Sequence, residues 1–206
     1  MNPVDFPKKN ILIFTLIICA ALAGSYFYVD LPVAIASRTI DMQIVSVFQV
    51  ITFLGDAICY LVPAAVLFLL FHYTWKKELW ARWCLFVFSA VAVSGLTTAA
   101  FKWLTGRWRP KVHLQDQLYG FDFFGVGYEA TSFPSGHATT IWAFCIAMTA
   151  LFPRYRLAWY VLAILVSISR VIVGAHYFSD IIAGAYIGVI TVLLIKEHPF
   201  FRLPSK

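Results

Sequence analysis

The chain has 206 residues and a formal net charge of +6, with 61% hydrophobic and only 13% charged residues. A soluble domain usually carries about 25% charged residues, so the composition excludes an ordinary soluble protein and indicates a membrane protein with no nucleic-acid partner. Cys19, Cys59, Cys84 and Cys145 all lie in apolar runs without CxxC spacing, which argues against both a metal site and a disulfide framework.

A spanning helix needs about 20 mostly apolar residues. The first candidate, residues 11–29, follows "PKKN" and is longer than the roughly 7–15 apolar residues of a secretory signal, so it reads as a retained span. In "IDMQIVSVFQVITFLG", apolar Ile40, Ile44, Val47, Phe48, Ile51 and Leu54 alternate in helical period with polar Gln43, Ser46, Gln49 and Thr52. That pattern fits an amphipathic helix on the membrane surface and an N-terminal extension of the second span equally well. The second span is expected over 57–75, closed by "KKE", and the third over 83–101, bounded by Arg82 and Lys102. One long polar segment follows, "TGRWRPKVHLQDQLYGFDFFGVGYEATSFPSG". Long loops in compact proteins are often functional.

The fourth to sixth spans are expected over 137–152, 157–174 and 177–195. The last two reach spanning length only if Arg170 and Asp180 lie within the helices or at their ends. Charge inside a membrane is expensive and normally faces a protein interior or a wet cavity. Both residues are therefore expected to point inward. No internal repeat or low-complexity stretch is visible, so residues 1–206 read as a single domain.

Six spans put both termini on one side. The termini and the turns around Lys76/Lys77 and Arg154/Arg156 are rich in cations and poor in acids. By the positive-inside rule that side is cytoplasmic. The long loop and the 170–180 corner then face outward, toward the periplasm if the membrane is a bacterial inner membrane.

This topology delivers Lys102, Arg107, Arg109, His137, Arg170, His176 and Asp180 to one membrane face. Such an excess of cations suits a phosphate. Pro110 disfavours a helical residue before it, so the third helix is expected to stop short and Arg109 to reach back from extended chain. Arginine offers a bidentate fork and lysine a compact charge. In "PSGH", Ser135 is a good N-cap, Gly136 permits close backbone approach, and a helix starting there aims free N–H groups at an anion. His137 in the first turn can serve as a general acid. His176 and Asp180 are four apart, expected on one helix face. The carboxylate then fixes the imidazole tautomer and leaves the other nitrogen nucleophilic. Gly174 reads as the break between spans. His72 and His113 read as satisfied interior residues and Arg38 as an interfacial anchor, while Arg107 fits an anchor and a site role alike.

"KWLTGRWRP", "PSGH" and "SRVIVGAHYFSD" match the pattern KxxxxxxRP, PSGH and SRxxxxxHxxxD at every position. In this the chain resembles the type 2 phosphatidic acid phosphatase (PAP2) family. The resemblance implies an all-α membrane protein, with six transmembrane helices in a PAP2-like bundle and the amphipathic helix before span two. It implies that His176 forms a phosphohistidine, Asp180 orients it and His137 protonates the leaving oxygen. Lys102, Arg109, Ser135, Gly136 and Arg170 would hold the phosphate, with no metal or other cofactor. Expected substrates are undecaprenyl diphosphate, phosphatidylglycerophosphate, phosphatidate or lipid A phosphates. A lipid phosphotransferase and a non-enzymatic anion channel or transporter are the alternatives. Tyr119, Phe121, Phe123, Phe124 and Tyr128 either line a lipid-tail groove or pack the loop onto the bundle.

Overall fold

The computed structural model describes residues 8–201. The terminal charges Asp5, Arg202 and Lys206 used above for orientation lie outside them, as do the side chains of Lys8 and Lys9. Among the described residues the secondary structure is helical apart from turns and one isolated β-bridge between Arg107 and Phe121. The α-helices are α1 (Lys8–Tyr28), α2 (Asp30–Ala36), α3 (Met42–Thr52), α4 (Ile58–Leu69), α5 (Glu78–Thr105), α6 (Pro110–Asp116), α7 (Gly136–Leu151), α8 (Arg156–Ile172) and α9 (Phe178–Glu197).

Among the described residues, five helical stretches are long and apolar enough to cross a membrane: Asn10–Tyr28, Met42–Thr74 (which runs through both α3 and α4), Glu78–Thr105, Pro153–Ile172 and Phe178–Glu197. The apolar helix Gly136–Leu151 is shorter. Its length is explained by its place in the bundle. α7 is the central helix, packed on α5, α8 and α9, and Ala138, Ile141, Ala143, Cys145 and Ala147 are fully buried. A helix sheathed by protein on all sides needs no wide lipid-facing band. α1 is the opposite case, with Leu12, Ile13, Leu16, Ile17 and Phe27 exposed on its surface, as expected of a helix that meets lipid.

Small residues let α7 and α9 approach closely, a packing mode favoured between membrane helices. A Cβ on Gly184 would lie 2.5 Å from the Ser135 carbonyl oxygen, and one on Gly188 2.6 Å from that of Thr139. Thr98 donates to Thr139 Oγ1 at 2.9 Å and ties α5 to α7. Trp142 Nε1 donates to Ser167 Oγ at 3.0 Å and ties α7 to α8.

The helix before the second span is a separate element. α3 is broken from α4 by the turn at 53–56 and packs against α8. It buries none of its residues, and Met42, Ile44, Val47 and Val50 are exposed. The long polar segment is more structured than its composition indicates. It contains α6, with Pro110 at the first helical position, where its missing N–H costs nothing.

Candidate active site

α5 runs to Thr105 and stops at Gly106, whose φ of +56° is left-handed. Only glycine fits there, because a Cβ would sit 1.6 Å from the Asp122 carbonyl oxygen. Residues 107–109 then leave the helix axis, and Arg109 is extended with φ −78° and ψ 157°, as the following proline demands. Its side chain turns back: Nε donates to the Tyr128 carbonyl at 2.7 Å and Nη1 to the Ala175 carbonyl at 2.9 Å. The Tyr128 ring stacks on the guanidinium at 3.8 Å.

α7 begins as its sequence requires. Ser135 is the N-cap and its hydroxyl accepts from Ala138 N–H, with Gly136 and His137 in the first turn. Ser135 N–H is itself held by the Asp180 carbonyl at 3.0 Å. Lys102 comes down beside this helix start, its Cε 4.0 Å from where a Gly136 Cβ would stand, and its Nζ donates to the Thr131 carbonyl. Lys102, Gly136 and His137 line one cavity of about 300 Å³ with Gly55, Asp56 and Thr98.

α8 ends at Ile172, and Gly174 lies in the turn that follows. The Ala175 and His176 N–H groups return to the Arg170 carbonyl at 3.0 and 3.2 Å, so Arg170 and His176 are brought to one place. Arg170 Nη1 donates to Thr52 Oγ1 at 2.7 Å, which anchors it to α3. Its Nε is buried without a partner among the described residues. The charges of Arg109, Arg170 and Asp180 all act on Lys102, and those of Arg170, Asp56, Lys102 and Arg109 act on His137. The predicted residues therefore form one cluster.

The His176–Asp180 pair forms by a route different from the one expected. The two residues do not share a helix face, because α9 starts only at Phe178 with Tyr177 as its N-cap. Asp180 is the third residue of the helix. Its Oδ2 reaches back to accept from Tyr177 N–H at 2.8 Å and approaches His176 Nδ1 at 3.5 Å. The carboxylate thus caps the start of α9 and faces the imidazole with the same oxygen. Ser132 also enters, donating to Asp180 Oδ2 at 2.6 Å and standing 3.5 Å from His176 Nδ1. On the far side of the ring, Arg109 Nη1 lies 3.4 Å from His176 Nε2. A guanidinium can only donate, so this contact requires a lone pair on Nε2 and the proton on Nδ1. Burial pushes the His176 imidazole down to about 3, reinforced by the Arg109 and Lys102 charges and opposed by its contact with Asp180.

Arg107, left between two roles by its sequence, is completely buried. Nη1 donates to Asp180 Oδ1 and Ser179 Oγ, both at 2.6 Å, and Nη2 to Asp30 Oδ2 at 2.7 Å. Burial acts against its charge, but the Asp180 and Asp30 carboxylates prevail and hold it above the usual arginine range. Asp30, Ser132 and Ser179 carry no sequence signal for this network. Tyr119 and Phe121 pack with Tyr26, Phe133 and Tyr177 around it, so they hold the loop to the bundle. Phe123, Phe124 and Tyr128 remain exposed.

A model of the PAP2 superfamily matches residues 83–203. A lipid A 1-phosphatase of Rhizobium etli is 35% identical over 179 residues, which cover 82% of this chain and 76% of the relative. One from Rhizobium johnstonii is 43% identical over 114 residues, covering 54% of this chain and 46% of the relative. The crystal structure of a transmembrane PAP2 type phosphatidylglycerolphosphate phosphatase from Bacillus subtilis superposes with a TM-score of 0.63 at 22% identity, covering 91% of this chain and 92% of that one. The motif residues gathered at one end of a membrane bundle, the matched family model and the relatives lead to one conclusion: the chain belongs to the PAP2 superfamily and is a multi-pass membrane lipid phosphatase.

Proposed function

We propose that the protein hydrolyses a lipid phosphate monoester through a phosphohistidine at the outer face of a bacterial inner membrane, with lipid A as the first substrate to test. The observation that carries the mechanism is the Arg109 Nη1 contact with His176 Nε2 at 3.4 Å. It marks Nε2 as the free nitrogen and puts a phosphate-binding cation beside it.

In this reading Lys102, Arg109, Arg170, the Ser135 hydroxyl and the Gly136 N–H hold the phosphate oxygens, and the α7 N-terminus adds its dipole. His176 Nε2 attacks phosphorus while the bond to the lipid oxygen breaks. Protonated His137 gives its proton to that oxygen. Water then attacks the phosphohistidine, neutral His137 takes a proton from it, and inorganic phosphate leaves with His176 restored. Asp180 and Ser132 keep the proton on Nδ1 and stabilise positive charge on the ring as the bond forms. Such chemistry depends mainly on positioning and on cations matched to the phosphoryl oxygens.

Access from the bilayer is supported by two cavities between α4, α5 and α7. The one beside Lys102 and His137 is about 300 Å³. Deeper along the same helices lies an apolar one of about 470 Å³, lined by Tyr60, Pro63, Leu67, Trp83, Phe144 and Met148. A head group in the first and an acyl chain toward the second is the economical pose. Lipid A is favoured among the lipid phosphates because the Rhizobium relatives carry that activity in their names. Six spans, with α7 as the fourth, and the cation-rich turns at 76–82 and 154–156 support cytoplasmic termini.

The test is phosphate release by purified protein from lipid A, phosphatidylglycerophosphate, phosphatidate and undecaprenyl diphosphate in separate micelles. Release from lipid A above the others is expected. Activity on another lipid alone overturns the substrate. Transfer of label to a second lipid without free phosphate makes the protein a transferase.

A further inference from the structure

Arg107 differs from the other cations of the site in where its donors go. Both terminal nitrogens are spent on carboxylates, Nη1 on Asp180 and Nη2 on Asp30. All three side chains are 0% exposed. Tyr177 and Tyr26 cover the guanidinium, their ring centres 4.5 and 5.0 Å away. Arg107 lines a separate apolar cavity with Tyr26, Phe121 and Phe133, not the one that holds Lys102 and His137. Its remaining terminal N–H groups go to Ser179 Oγ and the Tyr119 hydroxyl, so no terminal donor is left for a phosphate. Nε alone is without a partner among the described residues.

Asp30 is equally committed. It opens α2, just beyond the first span, and lies outside the matched family region. Oδ1 accepts from Ser179 N–H at 2.9 Å, and Oδ2 accepts from Ser179 Oγ as well as from Arg107. Asp30 therefore fixes the first turn of α9, the turn that also carries Asp180. The two carboxylates flank one guanidinium, and each is also held by a group on the 177–180 segment.

We infer that Asp30 and Arg107 are positioning residues for the His176–Asp180 pair, through which the corner after the first span sets the aim of the nucleophile. The inference rests on the phosphohistidine reading above. Arg107 occupies Asp180 Oδ1, so only Oδ2 faces His176 and Ser132. That selection fixes which way the carboxylate plane turns and hence the imidazole tautomer. Stability alone is a poor reason to keep such a buried ionic group, because well-packed apolar side chains commonly do as well. Orientation of the nucleophile needs the charges and the fork geometry.

The experiment compares wild type with Arg107→Lys, Asp30→Asn and Ser179→Ala in micelles of lipid A bisphosphate, or of phosphatidate if the wild type prefers it. Arg107→Lys keeps the charge but cannot fork to two carboxylates, and Asp30→Asn keeps the shape without the charge. Both are expected to lower kcat by about 10–100-fold, by analogy with the outer-shell partners that orient metal ligands. KM and inhibition by vanadate should stay within about two-fold of wild type, because the phosphate cradle is intact. Ser179→Ala uncovers no buried charge and should lower kcat less, also at constant KM. It decides the matter if the two charge-altering variants do not fold. Unchanged kcat in folded variants overturns the inference, and so does loss of vanadate affinity in step with kcat, which would move Arg107 into the cradle. If the wild type hydrolyses no lipid phosphate, the phosphohistidine reading fails separately. Nitrogen-15 NMR of His176 then tests positioning directly: an Nδ1–H tautomer in wild type that is lost in Arg107→Lys supports it, and an unchanged tautomer overturns it.

Discussion

Arg109 Nη1 stands 3.4 Å from His176 Nε2, the ring nitrogen turned away from Asp180. At that distance the two nitrogens are in hydrogen-bond contact, so a phosphoryl group can reach Nε2 only by displacing the guanidinium. In the proposed mechanism one set of forces would therefore prepare the nucleophile and locate its target. Backbone carbonyls of Tyr128 and Ala175 pin the guanidinium. Asp180 and Ser132 pin the opposite edge of the ring.

His176→Ala should abolish phosphate release while the protein stays folded. The proposed mechanism offers no other path to a covalent intermediate, so the loss should reach at least about 10³-fold, as when a nucleophile is removed from a catalytic triad. Size-exclusion profile and thermal unfolding check the fold, and a colorimetric phosphate assay checks turnover. Normal turnover in a folded variant would sink the mechanism.

Arg109→Lys should weaken substrate binding and slow turnover together, because in the proposed mechanism the residue grips phosphate as well as bordering Nε2. Lysine keeps the charge but loses the fork and its flat stacking on Tyr128. A lost hydrogen bond to a charged group is worth about 1.5–3 kcal/mol, or roughly 10–150-fold in kcat/KM. Steady-state kinetics and vanadate inhibition should both show the change.

The helical membrane class and the motif cluster were legible because each leaves a local signal. Spans announce themselves by apolar length, and Lys102, Arg109, Ser135, His137, Arg170, His176 and Asp180 by residue type at fixed spacing. Pro110 correctly foretold the extended Arg109. The His176–Asp180 spacing was right, but the helix face was not: Asp180 caps the start of α9, so the helix begins after His176. Spacing alone cannot say where a helix starts when the capping residue is also the functional one. Arg107 was undecidable because its meaning lies in Asp30 and Asp180, 77 and 73 positions away. Only the folded bundle brings those groups together, and Ser132 was hidden for the same reason.

Stability should fall in acid partly because of His176. Its folded value lies near 3 and the unfolded one near 6.5. Between them the unfolded chain binds a proton that the folded chain does not, so unfolding is favoured as pH drops through that window. Above about pH 6.5 the contribution is complete. The midpoint of thermal unfolding in micelles should therefore decline from pH 7 to pH 4 more steeply in wild type than in His176→Asn. Parallel declines would show that the imidazole is not held neutral.

Gly184→Val should destabilise the protein and misplace the phosphate site, because the α7–α9 contact sits directly beneath it. A Cβ at 184 would lie 2.5 Å from the Ser135 carbonyl oxygen and 3.1 Å from Thr139 N. Both are backbone atoms at the start of α7, so relief requires that helix start itself to shift. Ser135 N–H is also fastened to the Asp180 carbonyl across this contact. Overpacking of this kind costs about 1–3 kcal/mol, and here part of the strain must move Ser135 and Gly136 relative to Asp180. Activity should accordingly fall further than the loss of folded protein explains. Gly24→Val serves as the control, because α1 has open space at that position and should tolerate the change in both unfolding temperature and phosphate release. A Gly184→Val protein matching the control in both measurements would mean that α7 and α9 can separate without disturbing the site.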